Sequence, residues 1–124
     1  MFKRFQPSSL FTLILLFMFQ VCFGDVPTSQ KAEVQHLLKL IQKTTCILER
    51  NGDLHKGSEV YSHVMKKYDY FREDIHSTED FIRLSATKST FSGMYYKVSC
   101  DEKTWIKTGD WLLKELHIFR NTNR

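Results

Sequence analysis

The chain has 124 residues, a length typical of a single domain. Its 18 Lys and Arg residues oppose 14 Asp and Glu residues, for a formal charge of +4, but two of these cations, Lys3 and Arg4, stand at the very start. Without them the charge is +2 (16 Lys and Arg against 14 Asp and Glu), which excludes the strong basic footprint of a nucleic-acid-binding domain.

The N-terminal segment is typical of a secretory signal peptide. Its basic start precedes an apolar run over residues 10–19, and the small residues Cys22 and Gly24 stand three and one positions before a cleavage point ahead of Asp25. An uncleaved anchor is the alternative, but spanning a bilayer takes about 20 apolar residues. A lipoprotein site at Cys22 is less favoured, because the cysteine follows Phe-Gln-Val without a small residue.

Cleavage of residues 1–24 would leave residues 25–124 as one globular domain in the periplasm or outside the cell. The membrane would then be contacted only through the signal peptide before cleavage. Two cysteines remain, Cys46 and Cys100. In an oxidising compartment they are expected to form a disulfide, within the chain or across a dimer, and two buried thiols are the alternative.

The first predicted helix begins at Thr28 or Ser29, either of which can cap it. It ends at Asn51-Gly52, because both residue types tolerate the left-handed conformation at a helix end. The i, i+3, i+4, i+7 spacing of one apolar face supports it. That face consists of Val34, Leu37, Leu38, Ile41, Thr45 and Leu48.

A second helix is predicted to open at Gly57-Ser58-Glu59, with Ser58 as its cap. Glu59, His63 and Lys67 follow one another at i+4 steps, a spacing typical of an ordinary exposed stripe. The neighbouring core face consists of Val60, Tyr61, Val64, Met65 and Tyr68.

The remaining elements are two helices and a strand. Residues 77–80 form a near capping box for a short helix, and residues 108–110 open a last helix through Phe119. Residues 94–100 are typical of a strand, whose nearest pairing partner is residues 53–56. The sequence therefore predicts an α+β domain, mostly helical, with about four helices and a short two-stranded β pairing.

The chain lacks the usual catalytic signatures, namely a nucleophile elbow, a zinc-protease helix, a phosphate-binding glycine loop and a Cys-x-x-Cys pair. This favours a binding role over an enzymatic one. Candidate binding residues converge instead around the predicted start of the second helix and the hydroxyl-rich turn near residue 90. They are Arg50, Asn51, His55, Glu59, His63, Ser89, Ser92 and Tyr96.

Two interpretations of this cluster stand side by side. In one it is a fold-supporting network, in which Glu59 caps the helix or pairs with Arg50 and His63 bonds a backbone carbonyl. In the other it is a ligand site. The i+4 spacing of Glu59 and His63, with His55 as a third ligand, can serve a divalent metal, but such pairs are common by chance, so we predict no metal and no cofactor.

Three motifs stand in order along the chain and resemble one family. They are Arg50-Asn51-Gly52 with His55, Glu59 and His63, then Thr78-x-Glu-x-Phe81-Ile82, then Ser89-x-x-Ser92-Gly93-x-x-Tyr96. They resemble the YfeK-like family of small exported bacterial proteins, a domain of unknown function, over about residues 33–116. This chain departs from the family at Met94-Tyr95, where a Lys-Pro pair is expected. The resemblance implies a bacterial periplasmic or secreted location and implies no activity.

From these observations we expect a non-enzymatic periplasmic protein that binds an envelope ligand or protein, and no nucleic acid. One alternative is a small cell-wall or glycan-directed hydrolase with Glu59 as general acid or base, for which a second carboxylate would be required. The other is a purely structural envelope factor, in which the polar cluster serves only the fold.

Overall fold

The computed structural model describes residues 24–124, so the predicted signal peptide lies, apart from Gly24, outside the described residues. Within the described part, four α-helices pack against one antiparallel sheet of four strands. Along the chain these elements are α1 (Lys31–Lys43), β1 (Ile47–Arg50), β2 (Asp53–His55), α2 (Gly57–Phe71), α3 (Thr78–Ser85), β3 (Lys97–Ser99), β4 (Ile106–Lys107) and α4 (Thr108–Thr122). No helix among residues 24–124 is long and apolar enough to span a bilayer.

The mostly helical α+β fold is confirmed, with a larger sheet than the predicted two-stranded pairing. The strands lie in the order β2-β1-β3-β4. Strand β1 pairs with β2, with Arg50 opposite Asp53, and also with β3, with Leu48 opposite Val98. The predicted direct pairing of residues 53–56 with the later strand is therefore wrong, because β1 lies between them.

The first helix ends earlier than predicted. It stops at Lys43, because Thr44 is extended (φ −61°, ψ 142°), and residues 47–50 continue as a strand. Asn51 and Gly52 both have positive φ, 51° and 85°, as the central pair of a type I′ hairpin turn requires. The Asn-Gly pair therefore turns a hairpin and does not end a helix. The prediction was wrong because the same two residue types are typical of both structures.

The predicted caps are partly confirmed. Ser77 caps α3 by accepting a hydrogen bond from the Asp80 backbone N–H at 3.0 Å. Ser58 is not the cap of α2, which begins one residue earlier, at Gly57, after Lys56. A glycine is needed there, because a Cβ on Gly57 would lie 2.1 Å from the carbonyl oxygen of Ile41.

The core lies between the four helices and the inner face of the sheet. Its fully buried side chains from the helices include Leu37, Ile41, Val64, Phe81, Ile82 and Leu112. Strands β1 and β3 contribute Leu48 and Val98 from the sheet. Burial of this apolar surface is the main force that holds the sheet against the helices.

The predicted disulfide joins Cys46 and Cys100 within the chain. It links the segment before β1 to the end of β3, the two strands that pair at the centre of the sheet. The bond closes a loop of 54 residues, so it removes a large part of the conformational freedom of the unfolded chain.

Candidate functional site

The structure divides the eight predicted site residues between two places. Nδ1 of His55 lies 2.8 Å from a carboxylate oxygen of Glu59, and both residues line an open groove of about 630 Å³ beside Cys46 and Leu54. Glu59 therefore pairs with His55 and not with Arg50. The Glu59 side chain is 57% exposed, which places this pair at the surface.

Most of the other predicted residues surround a second cavity of about 370 Å³, which we call the basic pocket. Its lining consists of Arg50, Asn51, His63, Lys67, Ser89, Thr90, Phe91 and Tyr96. These side chains come from the β1–β2 hairpin, from the middle of α2, and from the segment that leads from α3 to β3. The tertiary fold thus brings three distant parts of the chain to one cavity.

A hydrogen-bonded hydroxyl and amide group forms one wall of the basic pocket. Asn51 Nδ2 donates to Ser89 Oγ at 3.4 Å, and Ser92 Oγ donates to Asn51 Oδ1 at 2.6 Å. Ser89 Oγ also accepts from the Ser92 backbone N–H at 3.2 Å. The hairpin turn and the hydroxyl-rich loop are therefore held together by the side chains that the sequence singled out.

A second hydrogen-bonded group of the basic pocket consists of Lys67, Tyr96 and His63. An ammonium only donates, so Tyr96 OH accepts from Lys67 Nζ, 3.4 Å away, and its own hydrogen is available to Nε2 of His63, 3.0 Å away. This arrangement assigns the neutral imidazole its proton on Nδ1. His63 therefore bonds a phenol, and the predicted bond to a backbone carbonyl is not formed.

The electrostatics of the basic pocket favour the neutral form of each of these groups. Burial, with the nearby cations Arg50, Lys67 and Lys66 and with His55, lowers the pKa of His63 to about 4. Burial and the Arg50 charge also lower the pKa of Lys67 from its ordinary value, and burial raises the pKa of Tyr96. The His63 imidazole is therefore neutral at pH 7.

The cations of the basic pocket are not neutralised by nearby acids. Among residues 24–124, the salt bridges involve neither Arg50 nor Lys67. Lys67 is nonetheless buried, with only 9% of its surface exposed, and its ammonium donates to the backbone carbonyl of Lys88 at 2.7 Å. A buried cation without a carboxylate partner is costly to the fold and is a marker of a binding site.

Lys67 is a site residue that the sequence pattern does not single out. The i+4 stripe from Glu59 predicts an exposed side chain, yet Lys67 stands three residues after the buried Val64 and directly before the buried Tyr68. That position on the apolar face was the available signal. It is weak, because lysine stems often cover apolar surface while the ammonium stays in water.

The three candidate metal ligands do not come together. His55 pairs with Glu59 in the groove, whereas His63 bonds Tyr96 in the basic pocket. Residues 24–124 contain no group of three His, Cys, Asp or Glu side chains placed to hold a metal ion. What the basic pocket offers chemically is a set of hydrogen-bond donors and positive charge.

Comparison with known proteins places the chain in a family but not in a functional class. No curated protein and no solved structure matches it. One family model matches residues 28–120, which run from the first helical turn into the last helix, α4. The chain therefore belongs to DUF5329, a family of unknown function.

Proposed function

We propose that this protein is a non-enzymatic binding protein of the bacterial cell envelope, exported by its N-terminal segment, and that the basic pocket holds its ligand. The observation that carries the proposal is the convergence of polar side chains from three chain segments on one cavity of about 370 Å³. Pockets of this size suit a small molecule or a projecting group of a larger one. The proposal includes the resemblance of the chain to the YfeK-like family, which implies a bacterial periplasmic or secreted location.

Two further observations support an exported binding protein. The Cys46–Cys100 disulfide is typical of proteins that mature in an oxidising compartment. In the basic pocket, Ser89 Oγ accepts hydrogen bonds from the Asn51 amide and the Ser92 backbone N–H, and the described contacts of this hydroxyl include no base that would activate it as a nucleophile. The pocket is equipped to hold a ligand more than to transform one.

The test is a native mass spectrum of the protein purified from its own envelope fraction, compared with a denaturing spectrum. We expect the polypeptide mass of residues 25–124 less two hydrogens, and an additional non-covalent mass in the native spectrum alone. Arg50→Ala should abolish that additional mass, whereas Glu59→Ala, which changes the separate groove, should retain it. Retention of the additional mass by a folded Arg50→Ala protein would reject the basic pocket as the binding site.

The second candidate function is a small cell-wall or glycan-directed hydrolase that uses Glu59. It is favoured by the contact between Glu59 and His55 at 2.8 Å, beside a groove of about 630 Å³. Glycoside hydrolysis usually employs two carboxylates across the scissile bond, and Glu59 is the single carboxylate in the lining of the described groove. Equal turnover of cell-wall fragments by Glu59→Gln and wild type would reject this candidate.

A further inference from the structure

We infer that the ligand of the basic pocket carries an oxyanion, a phosphate monoester or a carboxylate, attached to an apolar group. This inference rests on the proposed function and adds the chemical class of the ligand. It follows from the charges, the hydrogen-bond donors and the apolar rim of the basic pocket.

The charge of the basic pocket is of one sign. Arg50 and Lys67 both line it, and the described residues of its lining include no Asp or Glu. Neither cation forms a salt bridge with another residue of the part of the chain that the structure describes. An anion in the cavity would therefore supply the countercharge that the protein itself does not place there.

The buried Lys67 ammonium is the main anion-binding group that the basic pocket offers. Its residue is 91% buried (9% exposed), and its protein contacts within hydrogen-bond distance are the Lys88 carbonyl at 2.7 Å and the Tyr96 hydroxyl at 3.4 Å. An ammonium carries three N–H donors, so one donor is left for a ligand. Charge-assisted hydrogen bonds to an oxyanion are about twice as strong as neutral ones.

Ser89, which also lines the basic pocket, adds a second donor. Its buried Oγ accepts hydrogen bonds from Asn51 Nδ2 and from the Ser92 backbone N–H. Both contacts use the oxygen as acceptor, which leaves the hydroxyl hydrogen for a ligand. The guanidinium of Arg50 adds planar donors suited to two oxygens of one anion.

The rim of the basic pocket is apolar on one side. Phe91 lines the cavity, and its side chain is fully exposed, at 102%. An aromatic ring left in water at the mouth of a charged cavity offers a face for the apolar part of a ligand. The combination favours an organic phosphate or carboxylate over inorganic phosphate.

The test is calorimetric titration of the mature protein with four probes, namely inorganic phosphate, phenyl phosphate, benzoate and the uncharged benzyl alcohol. We expect phenyl phosphate or benzoate to bind more tightly than inorganic phosphate, and benzyl alcohol to bind weakest. The ratio of phenyl phosphate to benzoate distinguishes the two oxyanions. Binding should weaken as salt concentration rises.

A pair of lysine variants tests whether the anion binds beside Lys67. Lys67→Met should weaken phenyl phosphate binding by about 30-fold or more, because it removes a buried charge partner. Lys66→Met removes the same charge from the exposed neighbouring position on α2 and should change binding by less than about twofold. If Lys67→Met fails to fold by circular dichroism, Arg50→Gln decides, with an expected loss of about fivefold.

Phe91→Ala tests the apolar rim. It should bring the affinity for phenyl phosphate down toward that for inorganic phosphate. Tyr70→Ala, at an exposed aromatic outside the pocket lining, should leave that difference unchanged.

The inference is overturned if benzyl alcohol binds as tightly as phenyl phosphate, if both Lys67→Met and Arg50→Gln bind phenyl phosphate like wild type, or if no oxyanion probe binds the folded protein. These outcomes are separate from the failure of the proposed function. An envelope ligand that is lost in Arg50→Ala but proves uncharged would leave the binding role standing and reject the oxyanion.

Discussion

The side chain of Lys67 donates a hydrogen bond to the backbone carbonyl of Lys88 at 2.7 Å and so ties the middle of α2 to the loop that carries Ser89. The bond spans 21 residues of sequence. It holds the ammonium of a residue that lines the basic pocket, where the described residues provide no carboxylate partner. Several properties of the protein depend on this position.

Replacement of Lys67 distinguishes a binding cluster from a fold-supporting network. Lys67→Met should change the free energy of unfolding of the ligand-free protein by less than about 1 kcal/mol, or raise it, because removal of a buried cation offsets the loss of one hydrogen bond. Chemical denaturation at about pH 7 measures this, with Lys66→Met as the matched control. A loss well above 1 kcal/mol would instead support the network interpretation.

The lowered pKa of Lys67 also predicts the pH dependence of stability. Between its folded pKa and the ordinary value of 10.5, the unfolded chain binds more protons than the folded chain, so the free energy of unfolding rises with pH through this window. In Lys67→Met this contribution should be absent. Denaturation curves at a series of pH values from neutral up to about pH 10.5 compare the two proteins, and an identical pH dependence over that range would contradict the prediction.

His63 predicts a loss of stability on the acidic side. Its folded pKa of about 4 lies below the ordinary 6.5, so protons bind the unfolded chain first as the pH falls, and stability drops from about pH 6.5 downward. After allowance for solvent screening of this half-buried ring, we expect a loss of about 1–2 kcal/mol at about pH 4. His63→Gln should lack it.

An NMR titration of the His63 ring protons checks the cause directly. The ring should titrate near pH 4. His117→Gln, at an exposed histidine of α4, is the control for stability and should keep the acidic loss. A His63 ring that titrates at its ordinary value would show that the pocket does not favour the neutral imidazole.

Replacement of Gly57 tests the close contact between α1 and α2. Gly57→Ala would place a Cβ 2.1 Å from the Ile41 carbonyl oxygen, which is backbone and cannot rotate away. We expect a loss of about 2–3 kcal/mol in the free energy of unfolding. Ser58→Ala, at the exposed next position of the same helix, should change it by less than about 0.5 kcal/mol. Equal stability of the two variants would contradict the close contact.

Removal of the disulfide is expected to lower the stability more than the other changes, through its effect on the unfolded chain. Replacement of Cys46 and Cys100 by serine should lower the free energy of unfolding by about 4 kcal/mol, because the bond closes a loop of 54 residues. Comparison of wild-type unfolding with and without a reducing agent measures the same contribution of the disulfide to the free energy of unfolding. A reductant that had no effect on the double serine variant but destabilised wild type would attribute the change to this bond.

Local sequence patterns located most of the helices. Ser77 caps α3 as its position before two acidic residues predicts, and the apolar spacing of α4 matches its buried Leu112 and Leu116. Patterns at element ends were less informative. Asn51-Gly52 can end a helix or turn a hairpin, and the choice depends on the pairing of β1 with β3, for example of Leu48 with Val98, about 50 positions further along the chain.

The sequence also indicated which residues would surround the candidate site, but not how they would be divided. Asn51, Ser89 and Tyr96 line the basic pocket and Ser92 bonds Asn51, whereas His55 and Glu59 line a separate groove. A shared helix face at i+4 spacing predicts proximity along α2 only. It does not predict which side of that helix the loop before β3 will cover.

Local patterns and residue counts were enough to predict the helical periodicity, the cap of α3, the mostly helical α+β class and two cysteines able to pair, because each of these depends on neighbouring residues or on composition. The position of β1 between its two partner strands, and the burial of Lys67 against Lys88 and Tyr96, became evident only in the folded chain. Burial and charge pairing are set by contacts between distant segments, and the basic pocket exists only where those segments meet.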